Sequence, residues 1–396
     1  MSRIRATALA AALATVVALL AAPAAHAGNG FFTKQDLTAT TGAPTGFGPQ
    51  VGWTTPWDNK RHFAYYGGDS ELIVASADVG GAWSWTSLVR REPVNTFYSA
   101  YAYSWDHSSR IVYADGVTHH LIEWWSSDTS PTWQKIDLTA THNGPLIDTD
   151  PHGYEQDGQQ HIVFRDANPG GPLWEAVYQP GGDWTFTDLT ALTGIKPAYN
   201  YGWWINARSL GLDGEAVGYI GDDGYPHVLI GQRGRWLDTR VGVAADDHEY
   251  YTVNSMAFLR YGHLQRYAFR YITNDHHMHE AAWQVGRWTD TDVTAVTGAA
   301  PRQVPNTTSD SFLWNADGSE HMFTGTDDGT VIEYVRTYDG RWFLWRDTGP
   351  NPNSPGWVCA FAAADDFANG TETEFYVYYD DNSHVIVADL SAPYQA

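Results

Sequence analysis

Short hydrophobic runs alternate with turn residues along almost the whole chain. Between Gln160 and Leu189, three runs of β-branched and aromatic residues are separated by Gly, Pro, Asp and Asn ("QHIVFRDANPGGPLWEAVYQPGGDWTFTDL"). A further run of the same kind precedes them, like "YAYSW" and "SFLW" elsewhere. No segment combines a 3.6-residue hydrophobic period with capping residues. The pattern predicts units of about four strands, termed A to D here, and almost no helix.

A repeated phrase divides these strands into units. Asp-Leu-Thr-Ala, or Asp-Val-Thr-Ala, begins at Asp36, Asp137, Asp188 and Asp292, each time four residues after an aromatic residue. Degenerate copies extend the aromatic series, with spacings of 51, 50, 51, 52, 52 and 54 residues: Phe32, Trp83, Trp133, Trp184, Trp236, Trp288 and Trp342. A period near 50 with four strands per repeat predicts a β-propeller. We expect the phrase to bond nearby backbone and the aligned aromatic residues to pack between blades.

The last unit lacks a strand that the first residues can supply. After the final internal copy, the sequence predicts strands A, B and C near Trp357–Ala362, Glu374–Tyr379 and His384–Asp389, with no strand D. The segment Phe31–Leu37 has the strand D pattern but no unit before it. We therefore predict an all-β fold, a seven-bladed β-propeller of four-stranded blades whose ring is closed by the N-terminal strand. Because no linker interrupts the period, residues 28–396 are predicted to be one domain rather than two.

The first 27 residues have a different character. Arg3 and Arg5 precede an apolar run from Ala8 to Ala22, and the segment ends in "AHA". This order predicts a signal peptide at residues 1–27, cleaved after Ala27, and hence a secreted, extracellular protein. No other stretch is long and apolar enough to predict a membrane span. The one cysteine, Cys359, lies among small and apolar residues, so we expect it to pack as a small hydrophobic side chain.

The net charge and the aromatic content limit the classes of molecule that the protein is expected to bind. The formal net charge is −23, which disfavours nucleic acid and anionic membranes. The chain also has 19 Trp, 23 Tyr and 15 Phe, a composition that suits neutral sugars. His277 and His279 share a strand face, but two ligands without a third are a weak metal signal. We predict a monomer with no cofactor and no metal.

A glutamate recurs at one position of strand C. It is present in four units, as Glu123, Glu175, Glu280 and Glu333. In two of these units an arginine ends strand B ten residues earlier, Arg165 before Glu175 and Arg270 before Glu280. A guanidinium and a carboxylate on adjacent strands can together bind the hydroxyls of a sugar ring. They can equally form a cross-strand ion pair without a ligand.

This plan, with Arg at the end of strand B, Glu in strand C and Trp in strand D, resembles the fucose-specific lectins of fungi and bacteria. Those proteins are β-propellers that bind sugars between blades. Known members are typically six-bladed, and the chain is also similar to a seven-bladed bacterial lectin group. Near the arginine position, the units of Glu123 and Glu333 have Ala114 and Thr324 instead. The resemblance implies two to four sites for extracellular glycans or polysaccharide, with these binding residues: Arg165, Glu175, Arg270, Glu280, Glu123 and Glu333.

Two other function classes stay open. The segment Ala245–Thr252, "ADDHEYYT", departs most from the repeat, as a propeller's active-site loop would. A secreted polysaccharide lyase or glycoside hydrolase with one site on the axial face would draw on these residues: His248, Glu249, Tyr250, His276 and Arg208. The pairs His119-His120 and His276-His277 occupy equivalent positions, which favours an ordinary repeat residue there. A non-catalytic scaffold for protein interactions is the third class.

Overall fold

The computed structural model describes residues 33–55, 57–68, 71–78, 81–89, 100–167, 171–197, 205–211, 214–232, 234–244, 253–261, 264–284, 286–299, 311–314, 319–325, 331–337, 339–347, 358–366, 371–380 and 382–393. Within these ranges, 28 strands form seven four-stranded antiparallel sheets, as the sequence predicted. The strands of blades 1 to 3 are β2 (Gly46–Thr55), β3 (Lys60–Gly67), β4 (Leu72–Asp78), β5 (Ser84–Val89), β6 (Tyr101–Trp105), β7 (Ser108–Ala114), β8 (Leu121–Ser127), β9 (Gln134–Asp137), β10 (His152–Gln156), β11 (Gln159–Arg165), β12 (Leu173–Tyr178) and β13 (Trp184–Asp188).

The remaining blades follow the same order of strands. The strands of blades 4 to 6 are β14 (Asn206–Ser209), β15 (Glu215–Ile220), β16 (Pro226–Gln232), β17 (Arg235–Arg240), β18 (Val253–Tyr261), β19 (Leu264–Ile272), β20 (Met278–Gln284), β21 (Arg287–Asp292), β22 (Ser311–Trp314), β23 (Ser319–Gly325), β24 (Val331–Arg336) and β25 (Trp342–Asp347). Blade 7 consists of β26 (Val358–Asp366), β27 (Thr371–Tyr379), β28 (Val385–Pro393) and β1 (Thr33–Asp36).

The N-terminal strand completes blade 7, which confirms the predicted closure. Strand β1 pairs antiparallel with β28, from Thr33 opposite Asp389 to Asp36 opposite Ile386. Because β1 occupies the outer edge of the last sheet, the seam leaves no unpaired strand D position. Residues Phe31 and Phe32, the rest of the expected strand, lie outside the described residues.

The repeated phrase forms a single helical turn after strand D. Four five-residue helices lie within the described chain: α1 (Leu37–Thr41), α2 (Leu138–His142), α3 (Leu189–Thr193) and α4 (Val293–Thr297). In each, the Asp caps the helix, as when Asp188 Oδ1 accepts from Ala191 N at 2.8 Å. The Thr bonds strand C of the same blade, as when Thr190 Oγ1 accepts from Leu173 N at 2.9 Å. The predicted structural role of the phrase is confirmed, and the helix content is limited to these turns in the described chain.

The hydrophobic core lies between the blades. One cluster joins Trp53 and Val74 of blade 1 to Ile111 and Tyr113 of blade 2, and similar clusters lie at five other boundaries of the described chain. Trp83, from the aligned aromatic series, is 4 % exposed in the cluster between blades 7 and 1. Packing between neighbours therefore holds the ring together, and polar groups at a boundary lie inside the protein or along its rim.

Candidate functional site

Charged residues recur at the same level of several blade boundaries. In each case a Glu or Asp of strand C in one blade lies next to a residue from the start of strand B in the following blade. The contact is either direct or made through arginines that lie between the two residues. Gln160 of blade 3 donates to Glu123 of blade 2, and Arg61 of blade 1 donates to Asp389 of blade 7. The four predicted glutamates belong to this layer, and each is 6 % exposed or less.

Between blades 5 and 6, two arginines and two glutamates form a network of ion pairs. Arg270 donates to Glu280 Oε2 from Nη2 at 3.0 Å and from Nε at 3.2 Å, and Arg266 also binds Glu280. Both arginines reach Glu320 of blade 6, with Arg266 Nη1 3.0 Å from Glu320 Oε2. Burial favours the neutral carboxyl, but Arg266 and Arg270 outweigh it and lower the pKa of Glu280. Sugar binding at Arg270 and Glu280 stays a prediction, and it requires a ligand to displace these internal bonds.

The prediction that Arg165–Glu175 and Arg270–Glu280 occupy one register is wrong. Arg270 is directly opposite Glu280, whereas Arg165 is opposite Leu173 and Glu175 is opposite Val163. The connection between strands B and C is longer in blade 3, which moves the arginine along the strand. Arg165 instead donates from Nε to the carbonyl of Gly171 at 3.2 Å.

In blade 3 the recurring glutamate meets a histidine and a second carboxylate. His161 Nδ1 lies 2.8 Å from Glu175 Oε1 and 3.1 Å from Glu215 Oε2, which comes from blade 4. Burial opposes a charged imidazole, but hydrogen bonds to the two glutamates raise the pKa of His161 to about 9. Burial, together with the charge of Glu215, raises the pKa of Glu175. In blade 6 the corresponding Glu333 has a histidine partner too, with His321 Nδ1 2.6 Å from Glu333 Oε1.

Blade 2 places an arginine and a tryptophan at an open cavity, with a buried glutamate behind the arginine. Arg110 Nη1 donates to Glu123 Oε2 at 3.0 Å, and Tyr103 donates to Glu123 Oε1 at 3.0 Å. Burial raises the pKa of Glu123, although Arg110 opposes that rise. The Arg110 guanidinium carbon lies 4.8 Å and 5.3 Å from the ring centres of Trp105 and Trp125. The arginine is therefore held in place on three sides.

This cavity, called the Arg110 cavity below, has a volume of about 420 Å³. It lies beside the hairpins that join strands A and B and strands C and D of blade 2. Its lining consists of Asp106, His107, Ser108, Arg110, Trp125, Ser127, Asp128 and Thr129. Among the described contacts, Arg110 bonds through Nε to Ser108 and through Nη1 to Glu123, so its Nη2 carries no hydrogen bond. The two N–H groups of Nη2 thus remain for a ligand beside an indole face.

A second cleft of about 340 Å³ adjoins the Arg110 cavity at the boundary of blades 1 and 2. The two share Ser127 and Asp128, and the cleft is also lined by Trp57, Lys60 and Trp133. Small serines line this boundary, whereas Arg61 and Asp389 form a charged pair between blades 7 and 1, and arginines and glutamates do so between blades 5 and 6. Space, two indole rings and charges of both signs are therefore present together at the rim.

The residues of the enzyme alternative are not brought together within the described chain. His248, Glu249 and Tyr250 lie outside the described residues. Arg208 is half-buried in β14, opposite Ala216, and His276 occupies a turn with a positive φ of 63°. The structure thus leaves this alternative as a prediction.

The histidine pairs are repeat residues, as their equivalent positions indicated. His120 Nδ1 lies 2.7 Å from Asp137 Oδ2, and His277 Nδ1 lies 2.7 Å from Asp292 Oδ2. In both blades the aspartate is the one that caps the following helix. His279 of the same strand is bonded to Asp290 at 2.8 Å.

Comparison with known proteins identifies the fold. The structure superposes on the lectin BP39L of Burkholderia pseudomallei with a TM-score of 0.63, at 13% sequence identity, over 88% of this chain and 99% of that one. The six-bladed Aleuria aurantia lectin, known for its fucose recognition, matches with a TM-score of 0.55 at 14% identity, over 75% of this chain and 94% of its own. AofleA of Arthrobotrys oligospora matches with a TM-score of 0.56 at 11% identity, over 78% and 87% of the two chains. The fold is that of lectin propellers. No family model and no curated protein matches the chain.

Fucose-binding propellers are thus the structural neighbours that the repeat plan led us to expect. Among the described residues, no helix is long and apolar enough to cross a membrane. Residues 1–27 and the monomeric state stay predictions, and the side chain of Cys359, in β26, lies outside the described part.

Arg110 is the site residue that sequence reasoning missed. It lies thirteen residues before Glu123, whereas the arginines of the recognised pattern lie ten residues before a glutamate. The usable signal was the cross-strand register, since Arg110 is directly opposite Trp125 in the sheet. The same paired position holds His161 and Val177 in blade 3 and Ala268 and Ala282 in blade 5. In blade 6 it holds His321 and Val335.

Proposed function

We propose that this protein is a secreted lectin-like propeller that binds neutral sugars of extracellular glycans at the Arg110 cavity. The observation that carries the proposal is an arginine, fixed by a buried glutamate behind it, beside an indole face at an open cavity. The fold, which the chain shares with lectin propellers, supports the same function class. The pattern of residues 1–27 supports export.

The cavity offers what a sugar ring requires. Arg110 Nη2 would donate to ring hydroxyls, while the carboxylates of Asp106 and Asp128 would accept from them. The Trp125 ring would cover the apolar C–H face of the sugar. Glu123 acts behind Arg110, because both of its oxygens already accept hydrogen bonds from protein groups. It positions the guanidinium rather than contacting the ligand.

Two substitutions at the cavity test the proposal by glycan array and by calorimetry with the best glycan. Arg110→Lys keeps the charge that Glu123 needs but removes the planar arrangement of donors. Trp125→Ala removes the ring. Losing a charged hydrogen bond costs about 1.5–3 kcal/mol, so we expect binding to fall about tenfold or more in the Arg110 variant. We expect a similar loss in the Trp125 variant.

The matched controls are Val177→Ala, at the position of Trp125 in blade 3, and Arg341→Lys, on an exposed hairpin of blade 6. Both should bind like the parent. If the parent protein binds no glycan, or if the cavity variants bind like the parent at equal melting temperatures, the proposal is overturned. Release of reducing ends or unsaturated uronates from polysaccharide would instead favour the enzyme alternative.

A further inference from the structure

Three metal-ligating atoms converge between blades 3 and 4. His161 Nδ1 lies 2.8 Å from Glu175 Oε1 and 3.1 Å from Glu215 Oε2, and all three atoms lie within 4.8 Å of one another. The side chains of His161 and Glu175 are each 8 % exposed, and that of Glu215 is 13 % exposed. The atoms belong to three strands of two blades, β11, β12 and β15, so the rigid ring holds their spacing.

The cluster has fewer hydrogen-bond donors than its carboxylate oxygens can accept from. The Nδ1 hydrogen of His161 faces both carboxylates, and one hydrogen cannot fully serve two acceptors. The hydroxyl of Tyr154 donates to Glu215 Oε2 at 2.9 Å and also lies 3.4 Å from Glu175 Oε1. Two buried carboxylates that face each other repel unless positive charge lies between them.

Other boundaries supply that charge with arginine, whereas among the described residues this one has only the imidazole of His161. Glu123 of blade 2 pairs with Arg110, and Glu280 of blade 5 pairs with Arg266 and Arg270. Among the described residues, no lysine or arginine forms an ion pair with Glu175 or Glu215. A single imidazole therefore faces two carboxylates here, whereas two guanidinium groups face Glu280.

We propose that His161, Glu175 and Glu215 bind one divalent transition-metal ion, for which zinc is the best fit. Zinc accepts imidazole nitrogen and carboxylate oxygen as ligands. Zinc bonds of about 2.0–2.2 Å in tetrahedral geometry place ligand atoms about 3.4 Å apart. The separations of 2.8 Å and 3.1 Å seen here need to open by about 0.6 Å and about 0.3 Å.

The ion takes the place of the Nδ1 hydrogen of His161, which is released to solvent as a proton. The Tyr154 hydroxyl, beside both carboxylates, fills or hydrogen-bonds the fourth position. Its ring also stacks on His161, with ring centres 5.2 Å apart. Glu215, the most exposed ligand, marks the route by which an ion arrives. Because the ligands come from two blades, the ion would fasten blade 3 to blade 4 and stabilise the folded ring.

The test is titration of ZnCl₂ into the full-length protein after removal of metal by a chelator, with calorimetry and thermal unfolding as readouts. We expect one ion per chain, a dissociation constant in the micromolar range or below, and a higher melting temperature with zinc. Glu215→Gln should weaken zinc binding at least tenfold while the protein stays folded, because Glu215 is the ligand nearest to solvent. His161→Gln should abolish binding.

Two controls keep the result specific. Glu155→Gln removes an exposed carboxylate of the neighbouring strand β10, and Asp380→Asn disrupts a separate group of Asp36, Asp380 and His384. Both should bind zinc like the parent. The proposal is overturned if the parent binds no zinc, if Glu215→Gln binds as tightly as the parent, or if Asp380→Asn removes the binding. Calcium binding as tight as zinc binding would overturn the transition-metal assignment, since calcium prefers oxygen ligands alone.

Discussion

At the scale of the residue, the buried charges are held by neighbours rather than by water. Glu280 is 1 % exposed, and Arg270 beside it is fully buried. A buried ion pair adds little stability when it is compared with a well-packed apolar pair, but the loss of one partner leaves the other charge without compensation. The network of Arg266, Arg270, Glu280 and Glu320 is therefore sensitive to any single neutral substitution.

We expect Glu280→Gln to lower the free energy of unfolding by about 3–5 kcal/mol, because two buried arginines would then share one carboxylate. Urea unfolding followed by tryptophan fluorescence measures the change. Glu155→Gln, which alters an exposed carboxylate, should shift it by less than about 0.5 kcal/mol. Equal stability of Glu280→Gln and the parent would show that the network is not a structural element.

The sequence predicted which glutamates share a position, but it predicted the contacting arginine correctly only for Glu280. Strand alternation and the period were enough to align Glu123, Glu175, Glu280 and Glu333. Their partners depend on turn lengths and on the next blade, which the linear pattern does not show. Arg165 therefore misses Glu175, and Glu215 of blade 4 meets it instead.

At the scale of the element, the phrase after strand D is a joint between strands of one blade. Its Asp caps a five-residue helix and its Thr accepts from the first backbone N–H of strand C. Neither bond needs long-range packing, which is why the phrase could be recognised from sequence as structural. Its helical turn was missed, because five residues are too few to display a 3.6-residue period.

The cap of α3 allows a clean measurement, since Asp188 bonds the N-terminus of the helix without a histidine partner of the kind seen at Asp137. Asp188→Ala should lower the free energy of unfolding by about 1 kcal/mol. Asp188→Asn, which retains a capping oxygen, should lose much less. If both variants lost the same amount in chemical denaturation, the cap would not be the cause.

At the scale of the whole molecule, the ring depends on a seam between the two ends of the described chain. Strand β1 pairs with β28, and His384 Nδ1 lies 2.8 Å from Asp36 Oδ2 across that seam. The fold was predictable at this scale because a missing strand at one end matched a surplus strand at the other. The hydrogen bond and charge of Asp36 raise the pKa of His384. Burial opposes ionisation of Asp36, but the backbone N–H of Ala39, together with His384, lowers the pKa of Asp36.

The stabilisation from the His384–Asp36 contact at the seam should change with pH in a defined direction. A raised histidine pKa means that the stabilisation is complete below about pH 6.5 and is lost as pH rises through the folded-state value. A lowered aspartate pKa means that the stabilisation contributed by ionised Asp36 is lost as pH falls below about 4. We therefore expect His384→Asn to lower the melting temperature more at pH 5 than at pH 9. A difference between parent and variant that is equal at both pH values, or larger at pH 9, would contradict this.

The seam also determines when the ring can close during protein synthesis. Thr33 is among the first described residues to leave the ribosome, and its partner Asp389 is among the last. At about 5–20 residues per second, roughly 20 to 70 s separate the two. During that interval β1 has no sheet to join. Blades 1 to 6 can therefore form and stack before blade 7 is complete. The ring of a nascent chain therefore stays open until synthesis is almost complete. A chain truncated before β28 lacks the strand pairing that closes the ring.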